Sequence, residues 1–386
     1  MKRKKTIAVV FGTRPDAIKS APVLKALARE RNAFSVVPIA TAQHREMLDQ
    51  VLKSFGIRPR YDLNIMRTRQ SLAQITARAL RPLDALLSAV EPDMVLVQGD
   101  TTTTFTAALA AFYRRIPVGH IEAGLRTDDV GNPFPEEMNR RLTSSIAALH
   151  FAPTQTARTA LVREGVDAKK IFITGNTVID ALRATVRPAY RFSEPRLRPL
   201  VRSGKKIILA TMHRRENWGA PMRAAACALR RLALESPETA FVLPMHRNPE
   251  VRSLLRLELN GVKNILLCEP LAYADFVNLM AASFFIITDS GGIQEEAPSL
   301  GKPVLVLRTV TERPEAVAAG CVRLVGLDEA AIVSAARELL DSGDAYRAMS
   351  TGVNPYGDGC ASARIVQIIL HYFGLSESLP AEFAAS

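Results

Sequence analysis

The chain has 386 residues, 48% hydrophobic and 23% charged, with a formal net charge of +12. This is globular composition with room for two domains of ordinary size, and it excludes fibrous, collagen-like and disordered classes. The charge favours anionic partners, yet the basic residues are dispersed and their densest run, Lys2-Arg3-Lys4-Lys5, is a terminal tail, so no nucleic-acid partner is expected. Cys227, Cys268, Cys321 and Cys360 stand far apart, which argues against a zinc site, a dithiol motif or a disulfide framework. The apolar run 6–11 ends at Gly12 and Arg14, too short for a secretory signal. No uncharged apolar stretch nears the roughly 20 residues of a membrane span. A cytoplasmic protein without a membrane partner is expected.

Short β-branched runs alternate with helical patterns along the whole chain. Strands are predicted at 6–11, 34–40, 94–98, 118–121, 150–152 and 171–174, each nearly continuous in apolar residues, as strands covered on both faces should be. Pro15 suits a first helical turn, and Thr101 and Thr154 stand where N-caps are expected. The rhythm lapses over 188–205, the best linker candidate, and resumes with strands at 207–211, 240–244, 264–267, 284–288, 304–307 and 322–325. The alternation predicts an α/β chain of two doubly wound, Rossmann-like domains with parallel sheets. Ligands of such sheets bind beyond the carboxyl ends of the strands, so strand-to-helix junctions carry the functional weight.

The first junction reads Phe11-Gly12-Thr13-Arg14-Pro15-Asp16-Ala17-Ile18-Lys19. Gly12 permits a tight turn, and Arg14 and Lys19 add cations to a helix N-terminus that already favours anions. It is an anion site or an ordinary turn with solvated charges. No G-x-G-x-x-G or Walker loop is present, which disfavours an NAD site. Asp100 follows the 94–98 strand ahead of Thr101-Thr102-Thr103-Thr104, and Glu122 and Glu136 follow the next strand. These three carboxylates can meet at one crevice, where mutual repulsion would raise at least one pKa. Later, Thr211-Met212-His213-Arg214-Arg215-Glu216-Asn217 places a histidine and two arginines where a phosphate or leaving group could be served. It lacks the H-E-x-x-H pattern of a catalytic zinc, so no metal is implied. Thr288-Asp289-Ser290-Gly291-Gly292-Ile293-Gln294-Glu295-Glu296 offers free backbone N–H groups for a diphosphate, with Glu296 one turn on to accept from ribose hydroxyls.

These stretches closely resemble the non-hydrolysing UDP-N-acetylglucosamine 2-epimerases of bacteria. The resemblance also covers Thr41-Ala42-Gln43-His44-Arg45, Thr174-Gly175-Asn176-Thr177, Thr311-Glu312-Arg313-Pro314-Glu315 and Asn354-Pro355-Tyr356-Gly357-Asp358-Gly359. It implies the glycosyltransferase-B architecture, with an N-terminal domain over 1–190, a UDP-binding domain over 191–360 and a last helix near 361–375 packing back on the first. It implies a homodimer without a cofactor, interconverting UDP-N-acetylglucosamine and UDP-N-acetylmannosamine by loss and re-addition of UDP through 2-acetamidoglucal. The product would feed surface polysaccharides.

By the same resemblance Asp100, Glu122 and Glu136 form the acid/base set and His213 serves the departing diphosphate. Arg14, Lys19, Ser290, Gly291, Gly292, Glu296 and Arg313 match UDP-binding positions, and Phe276 lies near uracil. Gln43, Arg69, Gln70 and His246 match an allosteric site for a second UDP-N-acetylglucosamine. Met212, Met245 and Leu271 depart from the usual residues, which bears on sugar substituents and uracil contacts. Open rivals are an epimerase of a UDP-diacetamido sugar, a hydrolysing 2-epimerase, a glycosyltransferase of the same fold and, from another class, a basic nucleic-acid-binding protein.

Overall fold

The computed structural model describes residues 3–43, 45–127, 129–311 and 313–385; Lys2, His44 and Glu312, quoted above, lie outside the described residues. Among the described residues thirteen strands form two sheets, parallel throughout. The first contains β1 (Lys5–Phe11), β2 (Phe34–Ala40), β3 (Tyr61–Asp62), β4 (Met94–Gln98), β5 (Val118–Ile121), β6 (Leu149–Ala152) and β7 (Ile171–Ile173). Their order across the sheet is β3-β2-β1-β4-β5-β6-β7. The second contains β8 (Lys206–Thr211), β9 (Thr239–Pro244), β10 (Ile265–Cys268), β11 (Phe285–Thr288), β12 (Val304–Val306) and β13 (Val322–Leu324), in the order β10-β9-β8-β11-β12-β13. All twelve expected strands are present within one residue at each end. The extra strand, β3, spans two residues beside Ile39 and Ala40, too short to leave a period in the sequence.

Both sheets are doubly wound. The order reverses between β1 and β4 in the first and between β8 and β11 in the second, so each has one switch point where loops diverge and leave a crevice. Every residue of β4 is buried, as a central strand with helices on both faces requires. Helix starts follow their local chemistry. Thr13 and Asp16 form a capping box for Arg14–Arg29, and Ser71 and Gln74 form another for Leu72–Val90. Thr101 and Thr154 cap their helices through the backbone N–H groups of Thr104 and Ala157.

The chain divides into two compact units, one holding the described residues up to Arg183 together with Tyr356–Ala384, the other holding Ala184–Pro355. Within the second, residues 188–205 are anchored rather than slack. Buried Asp275 accepts from the Tyr190 hydroxyl at 2.8 Å and from the backbone N–H groups of Ser193 and Glu194, and Leu197–Val201 is helical.

Within the first unit, the final helix Ala361–Tyr372 has no cap of its own. Asp180, nearly two hundred residues earlier in the chain, accepts from the N–H groups of Ala361 at 3.2 Å and Ser362 at 2.8 Å, and from the Ser362 hydroxyl. A remote carboxylate thus fills the N-cap role, with its charge at the favourable end of the helix dipole. Asp180→Ala is expected to lower unfolding stability by about 1–3 kcal/mol. Amide exchange in 361–372 should rise ahead of the rest of the unit; unchanged urea unfolding and exchange would count against this tie.

Candidate functional site

The switch point of the first sheet joins the ends of β1 and β4, with β5 alongside. Gly12 closes the β1 turn because a Cβ there would collide with the hydroxyls of Thr103 and Thr41. Those hydroxyls bond each other at 2.8 Å, and Thr103 donates to Gln43 at 3.0 Å. Two of the turn's N–H groups are taken up from within it. Oδ2 of Asp16 accepts from Gly12 N at 3.3 Å, Thr13 N at 3.1 Å and the Thr101 hydroxyl at 3.1 Å. Asp16 is the anion of its own helix N-terminus. Burial, reinforced by nearby Asp100, raises its carboxyl to about 6 against the lowering effect of those donors.

Glu122 is the centre of this cluster. It is buried, and its backbone sits in the left-handed region at φ +63°, a conformation that costs a non-glycine residue roughly 1–3 kcal/mol. The surroundings hold it there. Lys19 Nζ meets Oε1 at 2.5 Å, Gln98 Nε2 donates to Oε2 at 2.5 Å and Asn176 Nδ2 donates to Oε1 at 3.2 Å. Lys19 is therefore turned to a carboxylate rather than to open solvent.

Asp100, half-buried at the end of β4, pairs with Arg140 at 2.6 Å. Arg140 also meets buried Glu137 at 3.2 Å. Burial works against the Arg140 charge, but Asp100, Glu137 and Glu122 together outweigh it and hold the guanidinium above its usual range. Glu136 opens the helix Glu136–Ile146, half-buried and without a hydrogen bond or ion pair among the described residues. From that helix Arg140 pairs with Asp100, and Asn139 Nδ2 donates to the Asp100 carbonyl at 2.9 Å. A cation between carboxylates relieves the repulsion expected from acidic residues alone, and Asp16 beside them has a raised carboxyl.

At the second sheet's switch point, β8 ends in Thr211 and β11 in Thr288, whose hydroxyls bond at 2.6 Å. Asp289 follows, fully buried. Its Oδ2 accepts from the N–H groups of His213 and Arg214, both at 2.9 Å, and from Asn217 Nδ2 at 3.2 Å. Its Oδ1 lies 3.0 Å from His213 Nδ1. Burial pushes this carboxyl up, but His213 and the N–H groups of Arg214 and His213 prevail and hold it below the ordinary carboxylate range. His213 stacks on His246, whose Nδ1 accepts from Asn248 N at 3.2 Å.

Ser290 is the N-cap position of the short helix Gly291–Glu296, and Gly292 has open space where a Cβ would stand. Glu296, buried, ends that helix. Thr311 donates to Gln294 at 2.6 Å and accepts from Arg313 N at 3.0 Å, while the Arg313 guanidinium pairs with buried Glu295. Ser290, Gly291, Gly292, Glu296, Arg313 and His213 thus gather on neighbouring strand ends of one sheet. Phe276 lies half-buried on Tyr273–Ala282. Arg14, half-buried, opens the helix Arg14–Arg29. Of the residues matched to a second ligand, Gln43 and Gln70 are half-buried, and Gln70 is bonded to Arg67 N and Ile65 O. Arg69 and His246 are exposed, Arg69 with φ +54°.

Sequence reasoning missed Asp16, Gln98, Asn176, Arg140 and Asp289. Asp16 has local donors in the quoted first junction, whereas the partners that place Gln98, Asn176, Arg140 and Asp289 are remote in the chain.

Two histidines lie behind the acidic cluster, in register across β5 and β6. His120 Nε2 faces the Gly99 carbonyl at 2.7 Å, so Nε2 carries the proton and Nδ1 is bare; Nδ1 of both rings is buried without a hydrogen-bond partner. Burial is the main cause that lowers His120 to about 3 and His150 to about 4. Below the ordinary value of 6.5 the unfolded chain takes up two protons that the folded chain refuses, so stability falls with pH. Asp16 has the opposite sign. Between its ordinary 3.8 and about 6 the folded chain holds a proton that the unfolded chain does not. Between pH 6 and 4.5, Asp16→Asn should therefore steepen the acid loss of stability by up to about 1.4 kcal/mol per pH unit. Parallel denaturation curves for both proteins across that range would contradict the assignment.

Comparison with known proteins gives a consistent result. A family model described as UDP-N-acetylglucosamine 2-epimerase matches residues 25–370. The chain is 52% identical over 381 residues to the UDP-N-acetylglucosamine 2-epimerase of Bacillus subtilis, covering 99% of each. Among solved structures, a UDP-GlcNAc 2-epimerase from Neisseria meningitidis bound to UDP-GlcNAc aligns with TM-score 0.86 and 48% identity, over 95% of this chain and 100% of that one. A Staphylococcus aureus protein solved with UDP aligns with TM-score 0.89 and 49% identity, over 98% and 100%.

Proposed function

The chain belongs to the UDP-N-acetylglucosamine 2-epimerase family, and from that premise we propose that it interconverts UDP-N-acetylglucosamine and UDP-N-acetylmannosamine without hydrolysis. The observation that carries this reading is Glu122, a buried carboxylate in a left-handed backbone at a switch point, held by Lys19, Gln98 and Asn176. Strained, over-determined residues of this kind gather at active sites.

In the proposed chemistry a carboxylate among Asp100, Glu122 and Glu136 takes the C2 proton. The C2–H electron pair forms the C1=C2 bond of 2-acetamidoglucal, and the C1–O pair leaves with UDP. Return of UDP to C1 and of a proton to the opposite face of C2 gives the epimer. A C2 proton with no adjacent carbonyl is weakly acidic, so stabilising the departing diphosphate matters as much as the base. His213, Arg14, Lys19, Ser290, Gly291, Gly292 and Arg313 fit that task, Glu296 fits ribose and Phe276 fits uracil. Gln43, Arg69, Gln70 and His246 are proposed to take a second UDP-N-acetylglucosamine as activator. A cytoplasmic homodimer supplying surface polysaccharide synthesis completes the reading.

Incubation with UDP-N-acetylglucosamine in D₂O, followed by NMR, tests it. Deuterium should appear at C2 of both UDP-sugars, and Glu122→Gln should slow its entry by about a hundredfold or more. Free sugar with stoichiometric UDP would move the chain to a hydrolysing reaction, and absence of exchange would remove epimerisation of this substrate. Hyperbolic kinetics, with turnover of pure UDP-N-acetylmannosamine unaided, would remove the activator.

A further inference from the structure

The second unit contains a carboxylate–imidazole pair whose geometry goes beyond binding. Asp289 is fully buried at the end of β11, and three N–H donors converge on its Oδ2: the backbones of His213 and Arg214 and the side chain of Asn217. Three fixed donors on one oxygen leave the carboxylate no freedom to rotate. The other oxygen, Oδ1, lies 3.0 Å from His213 Nδ1 as an ion-pair contact and receives no aligned hydrogen bond from any described residue. A carboxylate oxygen only accepts, so the ring nitrogen facing it must carry hydrogen. The imidazole is also held from its face by His246, whose Nδ1 is committed to the Asn248 N–H.

We propose that Asp289 is a positioning residue that fixes the tautomer of His213, keeping the proton on Nδ1 and leaving Nε2 as the atom that exchanges one with a phosphate oxygen. This rests on the reading that His213 serves the UDP leaving group. When the C1–O bond breaks, its electron pair passes to the diphosphate oxygen, and Nε2–H of the protonated ring donates to that oxygen. Asp289 stabilises the cation from behind, and Nε2 releases the oxygen when UDP returns to C1. The second nitrogen of a histidine sets what the first can do, and a buried carboxylate is the strongest way to set it.

An amide at position 289 separates positioning from mere support. In Asp289→Asn the carbonyl oxygen is needed by the three N–H donors, so the NH₂ group faces His213 Nδ1. That forces Nδ1 to accept and moves the ring hydrogen to Nε2. The test is ¹⁵N–¹H correlation spectroscopy of the full chain labelled at its six histidines, with His213 assigned by loss of its signals in His213→Gln, together with epimerisation kinetics.

Wild type should show hydrogen on Nδ1. Asp289→Asn should show the flipped tautomer, with kcat down by about a hundredfold or more and KM changed by no more than about threefold. A bare Nδ1 in the wild type overturns the proposal, and this measurement decides even if the variant does not fold. A variant that keeps the wild-type tautomer, or flips it with kcat unchanged, also overturns it. Full epimerisation by His213→Gln would instead sink the leaving-group reading, leaving the tautomer measurement to judge Asp289 by itself.

Discussion

In a parallel strand covered on both faces, each backbone N–H and C=O is committed to a ladder and each side chain to a packed layer. Polar groups can then cluster only where the strand ends. The five buried residues of β4 and the four of β11 illustrate the constraint, since each strand passes into turn residues rich in carboxylates and hydroxyls as soon as pairing stops. Two doubly wound sheets have two switch points, and the chain's unusual polar contacts gather at them.

The buried carboxylates at those points differ in what they are asked to do. Asp16 neutralises the first turn of its own helix and ties it to Thr101. Glu122 is held in a backbone conformation it would not choose, with Lys19 supplying the opposing charge. Asp289 is fixed by three donors and aimed at a histidine. One functional group, the carboxylate, fills three roles because the environment, not the side chain, sets charge and direction. Asp275 and Asp180 use the same chemistry for architecture, one anchoring the segment after Arg187 and the other capping the last helix.

Much of the fold was legible because burial on both faces writes itself into composition. Runs such as Met94–Gln98 and Phe285–Thr288 can hardly be anything but buried strands once helical patterns flank them. The helix caps at Thr101 and Thr154 were legible for a local reason, because a cap and its donor lie within three residues. Strand β3 was not, since two residues carry no period. The site was legible as a set of junctions but not as a set of contacts. The first βα turn reads as an anion site or an ordinary turn, and only its folded geometry shows the Asp16 carboxylate accepting from the N–H groups of Gly12 and Thr13.

By itself, then, the sequence determined the α/β class, the doubly wound alternation, the strand ends at which chemistry could occur and a resemblance to UDP-N-acetylglucosamine 2-epimerases. These depend on periodicity, local capping and motif order, all written within a few residues. Tertiary structure alone decided that Glu122 is gripped by Lys19, Gln98 and Asn176, that Arg140 stands between Asp100 and Glu137, and that Asp289 faces His213. Apart from Glu137, which lies one helical turn from Arg140, those partners come from segments tens to a hundred residues apart. A pairing set by which strands lie side by side leaves no local pattern, and it is such pairing that gives each charge its direction.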